Sequence, residues 1–164
     1  MKKFLLMAVL CAFYSAGHAQ TSNKAITEKN PEIKAKDEKI KTELIGPAQK
    51  AALPGEPDWE AIAKTITAKY DAVTADRTVT KAKIYYYYNK DWPLFCAGIV
   101  HYTNNWELAD DYALLNLNAG MILQYSKAQA ELKEALRWAK AAAAGNPANE
   151  KYQVTYNAIK EQIK

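Results

Sequence analysis

The stretch KAQAELKEALRWAKAAAAGNP, residues 127–147, decides the fold. Leu132, Ala135, Leu136, Ala139 and Ala142 recur every three or four residues, the period of one face of an α-helix. Gly145-Asn146-Pro147 closes it, with glycine as the expected left-handed cap and proline where a helix cannot continue.

The same period extends in both directions. Asn149 opens a last helix in which Tyr152, Tyr156, Ile159 and Ile163 share a face. On the N-terminal side a helix is predicted over about Glu107–Tyr125, with Leu114, Leu117, Met121 and Tyr125 as its apolar face. Asp91 can cap a helix that tolerates Pro93 in its first turn and carries Leu94, Phe95, Ile99, Val100 and Tyr102. Another begins near Thr74-Ala75-Asp76-Arg77 and passes through Val79, Ala82 and Ile84 to Tyr85, Tyr86, Tyr87 and Tyr88. Consecutive tyrosines favour the pleat, so Ile84–Tyr88 could be a strand, but it has nothing to pair with and is read as helix. Asp58 caps the first of the set, with Trp59, Ile62, Ile66 and Tyr70 at helical spacing. About six helices with short connections predict an all-α domain over residues 58–164, packed as helical hairpins.

Ala135, Ala142 and Pro147 are spaced as are the small residues and closing proline in the second helix of a tetratricopeptide repeat. The preceding helix carries Ala, Leu and Ser where that repeat has Trp, Gly and Tyr, so the likeness is partial. Four further pieces carry a resemblance: Pro57-Asp58-Trp59 with Ile66 and Tyr70; Ala75-Asp76-Arg77 with Ala82-Lys83-Ile84; Lys90-Asp91-Trp92-Pro93; and Leu132 through Lys140 with Trp138. Together they resemble the helical region that follows the thioredoxin domain in exported Bacteroidetes proteins of the thioredoxin-like family. Tyr152 and Thr155-Tyr156 fit a further aromatic motif, with Val154 where that pattern usually has Asp. The segment before Asp58 is too short for a thioredoxin domain, and the chain has no Cys-x-x-Cys. Thiol exchange needs an attacking and a resolving thiol, so the resemblance implies an accessory region standing alone, without the family's activity.

Met1-Lys2-Lys3, the apolar run Phe4–Tyr14 and Gly17 and Ala19 at the −3 and −1 positions read as a secretory signal peptide cleaved after Ala19. The run is shorter than the roughly 20 residues that span a bilayer, so no stable membrane insertion is expected after cleavage. Cys11 follows Leu10 where a lipobox wants a small residue, which argues against lipidation. Residues 20–57, rich in Lys, Glu and Pro and without an aromatic residue, are expected to be a flexible leader with at most one weak helix. Lys2 and Lys3 account for two of the four excess positive charges, leaving a balance that argues against nucleic acid. The address expected is periplasmic or secreted.

No phosphate loop, nucleotide fingerprint or serine nucleophile motif is present, and neither a cofactor nor a metal is expected. Cys96 is the one cysteine after the expected cleavage; it is either a redox-active thiol or, as free cysteine usually is, a small buried hydrophobe. His101 stands five residues on, off the spacing that would make a Cys–His pair on a helix. Glu107, Asp110 and Asp111 are read as complementing a helix N-terminus. Asp76-Arg77 fits either an internal ion pair or solvated surface. The aromatics hold more promise: Tyr85, Tyr86, Tyr87, Tyr88, Trp92 and Trp106 lie close together in sequence. Four consecutive helical residues turn through about 400°, so the tyrosines cannot all face one core, and those left over are candidates for binding. The expectation is an exported, non-catalytic helical module for a protein or peptide partner. The alternative is a redox accessory of an exported thiol–disulfide system, working through Cys96.

Overall fold

The computed structural model describes residues 30–163; the expected signal peptide, its cleavage site and Cys11 lie outside the described residues. Seven helices are found there: α1, from Pro31–Ile40 through a π-helical turn, Lys41–Ile45, to Gly46–Ala51; α2, Trp59–Lys69; α3, Ala72–Tyr87; α4, Trp92–Trp106; α5, Tyr112–Tyr125; α6, Gln129–Gly145; and α7, Glu150–Gln162. From α2 to α7 each helix packs on the next in sequence, and α4 also meets α6 and α5 meets α7. The result is an all-helical bundle of consecutive hairpins.

Short polar side chains set most of the starts. Asp58, Asp71, Asp91 and Asp111 each accept a hydrogen bond from the backbone N–H three residues on, at 2.6–3.0 Å, and Asn149 accepts one from Lys151 at 3.2 Å. Each satisfies one amide that the first turn leaves without a helical partner. Two expected boundaries move accordingly: α3 starts at Ala72 behind Asp71, and α5 starts at Tyr112 behind Asp111 rather than at Glu107. Ile84 to Tyr87 is helix.

Residues 20–29 of the expected leader lie outside the described residues, and in its described part the expectation is corrected by α1. Ile40 and Ile45 are buried in the shared core, and five residues of ordinary α-helix would point them about 140° apart. The π-turn brings them to one side: the Gly46 N–H bonds to the Lys41 carbonyl, five residues back. Arg77 adds a second anchor, donating from Nε to Asp37 Oδ2 at 2.8 Å and from Nη2 to Oδ1 at 2.5 Å. Two isoleucines and a forked ion pair offset the ordering entropy that composition alone does not.

Gly145 is helical, and no glycine among the described residues has positive φ, so the expected left-handed cap is also corrected. The Tyr112 ring occupies the space where a Cβ at Gly145 would stand, which fixes how closely α5 approaches the end of α6. Gly145→Ala must displace that ring. Overpacking of this kind costs about 1–3 kcal/mol, to be read as a drop in the urea midpoint that a Tyr112→Ala background relieves. The left-handed residue of the described chain is Asn89, φ 62°, in the turn between α3 and α4, a conformation asparagine tolerates well.

In α6 the expected face is the buried one: Leu132, Ala135, Ala139 and Ala142 are in the core, with Trp138 beside them. The α5 face is different. Leu115, Asn118, Ala119 and Ile122 are buried, while Leu114, Leu117 and Met121 turn toward a cleft. That helix is apolar nearly all round, so periodicity did not select between its faces. No helix among the described residues is long and apolar enough to cross a membrane.

Candidate functional site

The cleft, about 690 Å³ in volume, has α4 as its floor and α3 and α5 as its walls, with the start of α1 at one edge. Helical spacing places Arg77, Lys81, Tyr85 and Tyr88 along one face of α3. Opposite stand Leu114, Leu117, Asn118 and Met121, and Phe95, Ile99, Thr103 and Trp106 line the bottom. Asn118 Nδ2 donates to Thr103 Oγ1 at 2.9 Å, a buried bond that ties the floor to the wall.

The tyrosine run divides as its helical twist requires. Tyr85 is 72% exposed and Tyr88 48% exposed, and both line the cleft. Tyr86 and Tyr87 turn toward α2. The Tyr86 ring meets Trp59 edge-on at 5.4 Å, its hydroxyl donates to the Gly55 carbonyl at 3.2 Å, and the Lys90 ammonium lies 3.7 Å from the ring centroid. The Tyr87 hydroxyl donates to Glu56 Oε1, which also accepts from Trp59 Nε1 at 3.1 Å. Burial and the Glu56 carboxylate push Tyr87 up to about 12. Tyr86 and Tyr87 are therefore packing residues, and of the four tyrosines only Tyr85 and Tyr88 line the cleft.

Trp92 lies beyond the end of the cleft, stacked on Tyr125 at 3.9 Å and edge-on to Tyr88 at 5.6 Å. It supports the aromatic end without lining it. Trp106 is a floor residue whose Nε1 donates to Asp76 Oδ2 at 3.0 Å, with the Arg77 guanidinium 5.6 Å from its ring. Asp76 also receives His101 Nε2 at 2.9 Å. The Asp76-Arg77 alternatives thus resolve in opposite directions, Asp76 toward His101 and Trp106, and Arg77 into the buried pair with Asp37. The acidic cluster separates as well: Asp111 caps α5, whereas Glu107 is buried at the end of α4 and lines the cleft.

Cys96 is fully buried in the core, and burial pushes its thiol up to about 11, with a further rise from the Glu131 charge. That position argues against the redox reading, because exchange requires an accessible thiolate. Native protein at pH 8 should react with a thiol reagent only at the rate of unfolding, and immediately in denaturant. Fast native labelling would place the thiol at the surface instead. No group of three or more His, Cys, Asp or Glu side chains among the described residues could hold a metal ion.

Fold and site together define a class: an all-helical bundle with a solvent-open, aromatic-edged cleft. Comparison with protein-family models, with curated proteins and with solved structures found no match.

Proposed function

We propose that this chain is an exported, non-catalytic helical module that binds a protein or peptide partner in the cleft between α3, α4 and α5. One observation carries the reading: Tyr85, Tyr88 and Leu117, the last 52% exposed, gather at a single concavity. Exposed large apolar groups scattered singly need no explanation, but grouped around a cleft they mark a binding site. Exposed tyrosine rings with polar tips suit a peptide, which offers both apolar side chains and backbone polar groups. The hairpin arrangement and the tetratricopeptide-like spacing of Ala135, Ala142 and Pro147 support the same reading, since such stacks bind along a concave face. Export rests on the signal-peptide pattern of residues 1–19. Association with a thiol–disulfide system through Cys96 is less well supported, because that thiol is buried.

Panning a random peptide library on wild type and on Leu117→Arg tests the proposal. Leu117 is exposed, so the variant should fold. Wild type is expected to enrich peptides with apolar anchors, and the variant to lose them. Equal enrichment on both proteins would move binding away from the cleft.

A further inference from the structure

The cleft is polar at one end and apolar at the other. Along α3 the lining runs from Arg77 to Tyr88, roughly 16 Å at the α-helical rise, which matches about five extended residues. The Tyr88 end is apolar, with Phe95 5.5 Å from the Tyr88 ring and Met121 across from it. The Arg77 end carries the charge. Arg77 itself is engaged, its fork closed on Asp37, and Glu107 is buried beneath. Lys34 and Lys81 are different: both are exposed at the rim, and neither is in an ion pair among the described residues. The Lys81 ammonium lies 5.9 Å from the centroid of the Tyr102 ring, which lines the same cleft.

We propose that the cleft receives the C-terminal end of an apolar peptide, with the terminal carboxylate between Lys34 and Lys81 and the preceding side chains over Ile84, Ile99, Leu117 and Met121. The inference rests on the binding role proposed above and adds the polarity and direction of the ligand. A carboxylate matches two ammonium groups through charge-assisted hydrogen bonds, and capture of a peptide terminus is an established mode of recognition. The apolar end gives the neighbouring residues somewhere to lose water.

Fluorescence anisotropy with the full chain tests it, using a labelled hexapeptide of Leu, Val and Phe as the free acid and as its C-terminal amide. The free acid is expected to bind about five-fold more tightly, in keeping with a partly exposed charge contact. Lys81→Gln should erase most of that difference by weakening the acid far more than the amide, and raised salt should do the same. Equal affinity of acid and amide would overturn the carboxylate assignment and leave the peptide-binding role standing. If neither peptide binds and library panning also fails, the binding role falls with it. Displacement of the peptide by decanoate at equal concentration would overturn the assignment in favour of an acyl chain.

Discussion

Asp37→Ala is expected to destabilise the protein by about 2–3 kcal/mol, because it strands a guanidinium. Arg77 is 4% exposed, and Asp37 takes both its Nε and its Nη2. Breaking a buried pair by removing one partner typically costs about 3–5 kcal/mol, since the remaining charge keeps its desolvation penalty. The figure is set lower here because the Asp37 side chain is 26% exposed, so water can reach the vacated site. The effect should concentrate on α1. With the pair gone, the later turns are still held by Ile40, Leu44 and Ile45 and by the exposed Glu43–Lys69 pair, while the first turns can separate from α3. A two-state urea titration would then show both a lower midpoint and a smaller m, because part of the native surface is already exposed. A second substitution, Arg77→Met, should restore much of the loss by removing the uncompensated charge. A change under about 0.5 kcal/mol for Asp37→Ala would mean that the apolar contacts alone dock α1, in line with the small worth of exposed pairs.

The same helix shows where sequence reading reaches its limit. From α2 to α7 the elements were legible because two signals agree: short polar caps at Asp58, Asp91 and Asn149, and apolar residues at three- and four-residue steps. In α1 the second signal is thin: Ile40, Leu44 and Ala48 stand at four-residue steps, but its two fully buried residues, Ile40 and Ile45, are five apart, a spacing that reaches one face only through a π-turn. Its ionic anchor joins residues forty positions apart, and nothing local to Asp37 marks it as a partner. The α5 face failed for the opposite reason, an excess of apolar residues. Leu114, Leu115, Leu117, Met121 and Ile122 offer two defensible stripes, and only the packing of α5 on α6, α4 and α7 decides which is core. For the tyrosine run, helical twist required a division, but which two would face the cleft depended on Glu56 and Trp59 claiming Tyr87 and Tyr86. Gly145 carried a sound local signal that a tertiary contact overrode, the ring of Tyr112.

Trp138→Ala is expected to be the most damaging single change, at about 3–5 kcal/mol. Trp138 is 2% exposed, and its neighbours on the same helix face, Ala135, Ala139 and Ala142, are fully buried. Sites lined by larger side chains can relax into a void, whereas alanines have no rotamers with which to fill one. The indole also has a polar role. Its Nε1 donates to Asn104 Oδ1 at 3.0 Å, which accepts from Arg137 Nη2 at 2.7 Å as well, while Asn104 Nδ2 donates to Glu134 at 3.1 Å. That network joins α6 to α4, the helix that forms the cleft floor. Trp138→Phe separates the two contributions: it keeps most of the volume, removes the N–H, and leaves Asn104 with Arg137 as a donor, so a loss of about 1–2 kcal/mol is expected. Denaturant midpoints of the two variants measure the difference. Should Trp138→Ala cost less than the phenylalanine variant is expected to, the core around α6 must be able to collapse, and the rigid floor that the cleft requires would lose its support. If the full cost appears, peptide affinity should fall with stability in Trp138→Ala while Leu117→Arg loses affinity alone, which separates a residue that builds the floor from one that meets the ligand.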